Sequence, residues 1–364
     1  MQTDLLQEAR RQAEICNACR YCEGYCSVFP ALHKERSFAD GTLTQLANLC
    51  HNCRGCYYAC QYTTPHEFDL NLPKILAEVR RDSWESFAWP GPLARAFHTR
   101  GGLIALVSVL AFALLFAAIR MLGNVGGGEG FYAALSHSAM VAIFLPAFLL
   151  PLVSLAVSLR RYWQATGGGR FELTDVIGAF RMAGKMKDLA AGHGEGCNFE
   201  DEDRFTHGRR HAHQAVMYGF LLCFGATTAG TVMHYLFAMP APYGLFSLPK
   251  LLGIPGGILL TVGCASMVRL KLKSDRDLGD AGAWGGEIGF ILLLGFVALS
   301  GLVLYALGGT ALIPPMLALH LGAVLSFFLL TPFTKMAHGF YRLTALIRDA
   351  RRKRLKSVYT SETI

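Results

Sequence analysis

Six long apolar stretches, near 101–119, 138–159, 214–239, 251–268, 288–312 and 313–334, constrain this chain more than any other feature. Most approach or exceed the roughly 20 residues that a helix needs to cross about 30 Å of hydrocarbon. In lipid every backbone polar group must be satisfied internally, so stretches of this length read as spanning helices. Composition agrees, since 52% of the 364 residues are hydrophobic and only 16% are charged, against about 25% charged in soluble domains. A disordered chain and a simple soluble enzyme are excluded. The fourth stretch holds Pro255 and a glycine pair, so its edges are the least defined.

Charge gives the orientation. With both termini inside, the inner segments 160–214, 269–286 and 335–364 hold nine, four and eight Lys/Arg. The outer segments 120–138, 239–250 and 308–312 hold only Arg120 and Lys250. This is the positive-inside pattern, and it predicts a multi-pass protein of a bacterial-type inner (cytoplasmic) membrane with N- and C-termini cytoplasmic. The formal charge of +8 is thereby assigned to inner loops against the lipid bilayer, not to nucleic acid. Residues 1–15 are polar and lack the apolar core of a secretory signal. The cysteine-rich N-terminus is therefore expected in the reducing cytoplasm, where disulfides are rare.

Before the spans, LPKILAEVRRD (72–82) has helical periodicity, and WPGPLARAFHTRGG (89–102) is a breaker-rich boundary. The expected fold class is all-α. A helical domain covers 1–98, a six-helix transmembrane bundle covers 99–340, and a basic cytoplasmic tail covers 341–364. The glycine-rich stretches 123–130 and 166–170 follow no strand and open no helix, so they read as loops and not as dinucleotide fingerprints.

Eight of the eleven cysteines lie within the first 60 residues. Cys16, Cys19, Cys22 and Cys26 form C-x2-C-x2-C-x3-C, and Cys50, Cys53, Cys56 and Cys60 repeat it. A triplet at this spacing wraps one [4Fe–4S] cluster, while in two-cluster ferredoxins the fourth cysteine ligates the other cluster. One cluster is therefore assigned to Cys16, Cys19, Cys22 and Cys60, and the second to Cys50, Cys53, Cys56 and Cys26. Ser27 and Gln61 stand where small bacterial ferredoxins carry proline, which suits a helical two-cluster domain better. Structural zinc is the alternative, but zinc takes four ligands, usually as two separated pairs. It leaves a doubled triplet with a remote fourth cysteine unexplained.

Histidines at membrane depth are functional candidates by default. His320 lies inside the sixth span and His338 at its inner end, about five turns and roughly 27 Å apart on one helical face. On the third span His213 lies at the inner end and His234 near the outer end, about 32 Å apart. Two helices that each carry an inner and an outer His suit bis-imidazole haem b in a helical bundle. The inner pair is His213 with His338, and the outer pair is His234 with His320, for one or two haems. His211 is the alternative to His213, and His137 the alternative to His234. GHGEGCN (192–198), with His193 and Cys197, reads as a solvated loop. Cys223 and Cys264 read as packing residues within spans.

The paired cysteine motifs, followed by six spans with HxHQAVMYGFLLCF (211–224) and HLGAVLSFFLLTPFTKMAHGFYR (320–342), resemble the tricarballylate/citrate-utilisation protein B family over nearly the whole chain. The last span is also similar to the haem-bearing gamma subunit of respiratory nitrate reductase, with Pro332, Phe333 and Lys335 between His320 and His338. It departs on the partner helix, where the gamma subunit's histidines stand closer together than His213 and His234. The family resemblance implies a membrane electron-transfer protein that reoxidises a partner flavoprotein dehydrogenase acting on tricarballylate or a related tricarboxylate. It would pass the electrons to the membrane quinone pool. No flavin or nicotinamide fingerprint occurs in the chain, so the two-electron chemistry belongs to that partner. The alternatives are a quinol-oxidising subunit that feeds a heterodisulfide-reductase-like enzyme, and a transporter with a redox-sensing domain. The spans lack paired acidic and basic residues in their apolar cores, which argues against the transporter.

Overall fold

The computed structural model describes residues 2–122, 135–190, 194–201 and 203–361. The N-terminal region is built from α1 (Gln2–Cys19), α2 (Val28–Leu32), α3 (Asp40–Leu49), α4 (Gly55–Tyr58) and α5 (Leu72–Phe87). Helix α5 starts where sequence periodicity places it. The Asn71 side chain accepts the Lys74 N–H at 3.2 Å, and Pro73 sits in the first turn, where its missing N–H costs nothing.

The remaining helices are α6 (Gly91–Leu122), α7 (His137–Ala165), α8 (Leu173–Lys185), α9 (Gly208–Phe237), α10 (Leu248–Lys273), α11 (Trp284–Ala306), α12 (Ile313–Leu330) and α13 (Ala337–Ser361). Among the described residues six helical stretches are long and apolar enough to cross a membrane, and the chain is a multi-pass membrane protein. Helix α10 packs between α9 and α11, α11 lies against α6 and α12, and α12 also touches α6 and α7. Pro255 lies inside α10 without ending it. The glycine-rich stretch 123–130 lies outside the described residues.

Two features depart from the sequence reading. The all-α frame carries one antiparallel hairpin, β1 (Cys197–Asp201) with β2 (Arg204–Thr206), in the segment read as a solvated loop. The last span is also not one helix. Helix α12 ends at Leu330, a tight turn runs through Thr331–Phe333, and α13 begins at Ala337. Pro332 lacks an N–H, and its ring blocks the preceding carbonyl, so the helix cannot run through. The five-turn alignment of His320 with His338 does not hold, because the two residues stand on different helices.

Helix α13 occupies the segment 341–361, expected as a tail, and its apolar side packs back onto the N-terminal region. Ala337, Tyr341, Ala345 and Leu346 share one core with Leu43, Leu46, Leu76, Val79, Trp84 and Tyr162. Tyr162 from α7 is 0% exposed, and full burial of such a side chain contributes about 1.5–3 kcal/mol. At the other end of this interface His98 of α6 lies 2.9 Å from Glu85 of α5 through Nδ1.

Lipid offers no hydrophobic drive for helix association, so spans pack through small residues that let backbones approach. Helices α9 and α10 use this device. A Cβ on Gly219 would lie 2.5 Å from the Leu260 nitrogen, and one on Gly263 would lie 2.8 Å from the Val216 nitrogen. Both obstacles are backbone and cannot swing aside. Gly219→Leu is therefore expected to destabilise the bundle by about 1–3 kcal/mol or more, whereas Gly225→Ala, whose Cβ meets only Leu252 at 3.6 Å, should be near neutral. Thermal unfolding of the purified proteins in one detergent compares the two.

Candidate metal centres

The two cysteine motifs sit at helix ends, where the chain can curl its thiols inward. Cys16 and Cys19 occupy the last turn of α1, and Arg20 then takes a left-handed conformation (φ 59°) that turns the chain toward Cys22 and Cys26. In the second motif Cys50 caps the C-terminus of α3, and Cys56 lies on α4. Asn52 (φ 52°) and Arg54 (φ 69°) make the turn between them. Such turns aim backbone N–H groups at a common point and favour anions there. The Asn52 N–H lies 3.3 Å from Cys50 Sγ, and the Tyr62 N–H lies 3.4 Å from Cys60 Sγ.

The eight thiols divide into two crossed groups. A cavity of about 210 Å³ is lined by Cys16, Cys19, Cys22 and Cys60, and also by Cys56, which lines both cavities. A much tighter one, about 10 Å³, is lined by Cys26, Cys50, Cys53 and Cys56. Each triplet thus shares its cavity with the fourth cysteine of the other motif. All eight cysteines are free, and among the described residues no three His, Cys, Asp or Glu side chains converge on a single metal ion.

Burial and the neighbouring thiols, Cys60 first, push Cys16 and Cys22 up to about 12. Burial also pushes Cys26 and Cys56 up, reinforced by Cys53 and Cys50. Thiols so placed gain from a cationic partner, and a four-cysteine set of this kind would fit an iron–sulfur cluster. The groups differ in exposure. Cys19 is exposed and Tyr21 beside it is 69% exposed, whereas Cys53 is 7% exposed.

The buried group is tied to the C-terminal helix. The Arg80 Nη1 donates to the Cys50 carbonyl at 2.7 Å, and the Arg80 guanidinium lies over the Trp84 ring. Trp84 stacks on Tyr341 at 5.8 Å. His51, next to Cys50, lies 3.3 Å from Asp188 and accepts from the Arg342 guanidinium. Burial and Arg342 push the His51 imidazole down to about 3, so it is neutral and free to accept. Burial opposes ionisation of Asp188, but its charged and polar neighbours, the Arg342 guanidinium at 3.6 Å among them, prevail and hold it at about 2. Arg342 stands one turn beyond His338.

The histidines separate into three settings. His213 of α9 faces His338 of α13, with ring centroids 5.7 Å apart and planes at 78°. The His338 Nδ1–H donates to the Lys335 carbonyl, which fixes the tautomer and leaves Nε2 as the available lone pair, as a metal-ligating imidazole requires. The His213 Nδ1 is buried with no hydrogen-bond partner. The gap between the two rings is wide enough for a metal ion, so this pair would be able to hold one. His211 is exposed and pairs with His207 at 5.9 Å, away from His338.

The outer pairing differs from the sequence reading. His234 stacks on His137 at 4.2 Å, and His137 Nε2 lies 2.8 Å from the Tyr235 hydroxyl. His320 instead lies 3.0 Å from the Ser300 hydroxyl of α11 and packs over Gly301. The structure does not join His234 to His320. It brings His234 to the alternative His137, and those rings stand too close to take an iron between them.

Two arrangements were not legible in advance. Glu287, in the first turn of α11, bridges Lys271 of α10 and Lys335 before α13. A lone carboxylate at a span boundary, with lysines at the same depth on neighbouring spans, was the available signal. The hairpin strand carrying Cys197 packs against Cys53, and Asn198 N–H donates to the Cys53 carbonyl at 3.0 Å. His193 lies outside the described residues. Cys223 and Cys264 pack between spans, as expected.

Residues 93–358 match the family described as Citrate utilization protein B, and residues 9–85 match its Fer4-like domain. The chain is 39% identical over 353 residues to Citrate utilization protein B of Escherichia coli, covering 95% of this chain and 92% of that protein. No solved structure matches the chain. With both regions matched and a relative aligned over nearly its whole length, the chain belongs to the citrate utilization protein B family.

Proposed function

We propose that this protein is a membrane electron-transfer subunit that reoxidises a separate FAD-dependent tricarboxylate dehydrogenase and delivers the electrons to the quinone pool. The observation that carries the reading is the set of a four-cysteine group open to the surface at Cys19, a four-cysteine group closed in at Cys53 and a facing His213–His338 pair. The family's Fer4-like domain supports iron–sulfur chemistry for the cysteines, and the relative's name supports a tricarboxylate as the partner's substrate. Iron–sulfur clusters and haem b, when bound, are one-electron carriers that link a two-electron flavin to a two-electron quinone.

The chain's own residues divide this work. Cys16, Cys19, Cys22 and Cys60 would hold the first cluster at the surface, within reach of a flavoprotein. Cys26, Cys50, Cys53 and Cys56 would hold the second in the interior, insulated from water. Arg80, His51 and Arg342 anchor the second group to α13, and the Lys335 carbonyl orients His338 toward His213 for one haem b. Helices α9 and α13 carry that pair at the edge of the bilayer. The crowding of Lys and Arg in 160–214, 269–286 and 335–364 supports a cytoplasmic face for the cysteines and both termini. The proposed domains are the cluster region over 1–98, the membrane region over 99–340 and the basic segment over 341–364.

Three outcomes follow from this reading. The crossing of the motifs predicts that Cys26→Ser and Cys53→Ser lose the same EPR signal, while Cys60→Ser and Cys16→Ser lose the other; loss of the Cys16 signal in Cys26→Ser refutes the crossing. His338→Ala should remove the low-spin bis-histidine optical spectrum and block quinone reduction, while reduced flavoprotein still bleaches the clusters. The same spectrum in His338→Ala and wild type discards the haem assignment. For orientation, a reporter fused after Thr310 should behave as periplasmic and one after Gly279 as cytoplasmic; the reverse pattern overturns the six-span arrangement.

A further inference from the structure

The hairpin strands β1 and β2 have no place in the arrangement described above, yet β1 packs on Cys53 of the second cysteine group. Cys197 is 1% exposed and shares an apolar cluster with Cys53, Leu189, Phe199 and Ala212. Its thiol donates to the Leu189 carbonyl at 3.4 Å, and its side chain packs against Cys53. Asn198 is also 1% exposed, and both its side-chain amide atoms are buried without a hydrogen-bond partner. A buried amide left unsatisfied is costly and calls for a ligand-side explanation. The position of this amide supplies one, because Asn198 Oδ1 lies 3.4 Å from where a Cβ on Gly55 would stand, in the turn between Cys53 and Cys56.

Positive charge surrounds the same spot. The Phe199 ring is sandwiched between the guanidiniums of Arg54 at 4.7 Å and Arg209 at 4.2 Å. The Arg209 Nη1 donates to the Asn52 carbonyl at 2.7 Å. One short hairpin thus brings a thiol, an unsatisfied amide and a clamp for two cations to a single cysteine group.

We propose that this hairpin is a redox-tuning lid, in which the Asn198 amide, and the Cys197 thiol once it turns from the Leu189 carbonyl, donate to the sulfur shell of the second cluster and raise its reduction potential. The proposal rests on the reading of Cys26, Cys50, Cys53 and Cys56 as a cluster site. Reduction adds one electron to the cluster and its four thiolates. Hydrogen bonds to the sulfurs and nearby cations favour the more negative reduced form, whereas burial disfavours it. The lid offsets the burial that the second site cannot avoid. It makes the interior cluster the better electron acceptor of the two, so that electrons entering at the exposed group move inward. Cys197 and Asn198 are positioning residues here, acting on the cluster through its sulfur ligands.

The test is an EPR-monitored redox titration of the full-length purified protein, with iron quantified. Wild type must first give two reducible cluster signals; their absence refutes the cluster reading itself, not the lid. In Cys197→Ala and in Asn198→Leu the signal that disappears in Cys26→Ser should shift to a more negative midpoint, while the other midpoint and the iron content stay constant. Cys197→Ser, which keeps a donor, should recover part of the shift. Unmoved midpoints in both Cys197→Ala and Asn198→Leu overturn the proposal, as do equal shifts of both signals. Loss of the cluster in Cys197→Ala with retention in Cys53→Ala makes Cys197 an iron ligand and also overturns it. Should Cys197→Ala fail to assemble, the midpoint of Asn198→Leu decides.

Discussion

The Tyr162 hydroxyl donates to Gln45 Oε1 at 2.6 Å, and Gln45 Nε2 donates to the Ala345 carbonyl at 2.8 Å. This buried relay joins α7, α3 and α13, which come from the membrane bundle, the cysteine region and the C-terminal end of the chain. Inside an apolar core each of these groups must find its partner, since an unmade buried hydrogen bond costs about 1–3 kcal/mol. The relay therefore fixes the register of α13 on α3. Cys50 caps the end of α3, and His338 lies in the first turn of α13. The separation between the interior cysteine group and the histidine pair is set by this packing rather than by a loop.

Charge at the inner end of the bundle follows the same logic. Glu287 reaches both Lys271 and Lys335, and Lys335 also lies 5.2 Å from the Trp84 ring. Burying such a set offers little net stability over an apolar one, but losing one partner leaves an unpaired charge and typically costs 3–5 kcal/mol. Its use here is positional. The Lys335 ammonium is held on Glu287 while the Lys335 carbonyl accepts a hydrogen bond from the His338 Nδ1–H, so one residue links the start of α11 to the orientation of an imidazole. Asp188 acts in parallel from the loop side, holding Arg342 at 3.6 Å.

Much of this was legible in the sequence, for identifiable reasons. The six spans follow from apolar length alone, and helix α5 from its periodicity and its Asn71 cap. The cysteine groups could be read because their spacing is local and their chemistry narrow. The facing of His213 and His338 was accessible for a similar reason, both residues lying at inner ends of spans. His320 misled because counting turns assumes an unbroken helix, and Pro332 breaks it. The outer contact of His234 with His137 depends on how α7 leans on α9, a tertiary fact with no local signature. The hairpin escaped for the opposite reason. Its strands are three to five residues long and are stabilised by burial against Cys53 and Ala212, so nothing in GHGEGCN separates it from a loop.

The contrast between the two cysteine groups carries the last step. A carrier that meets a soluble partner must stand near the surface, and exposure to water stabilises a charged, reduced cluster. A carrier that must hand electrons into the bilayer has to be shielded, and shielding alone makes reduction harder. The fold resolves this conflict by building the second group differently from the first. It sits under α5 and the inserted hairpin, with Arg54 itself 3% exposed and held by Asn52 at 3.3 Å. Burying that guanidinium pulls it down to about 10, with Arg209 adding to the effect. Asp275 and Glu287 offset part of that cost. The hairpin between the second and third spans, packed on Cys53, stacks Arg54 and Arg209 on the Phe199 ring beside the second cysteine group.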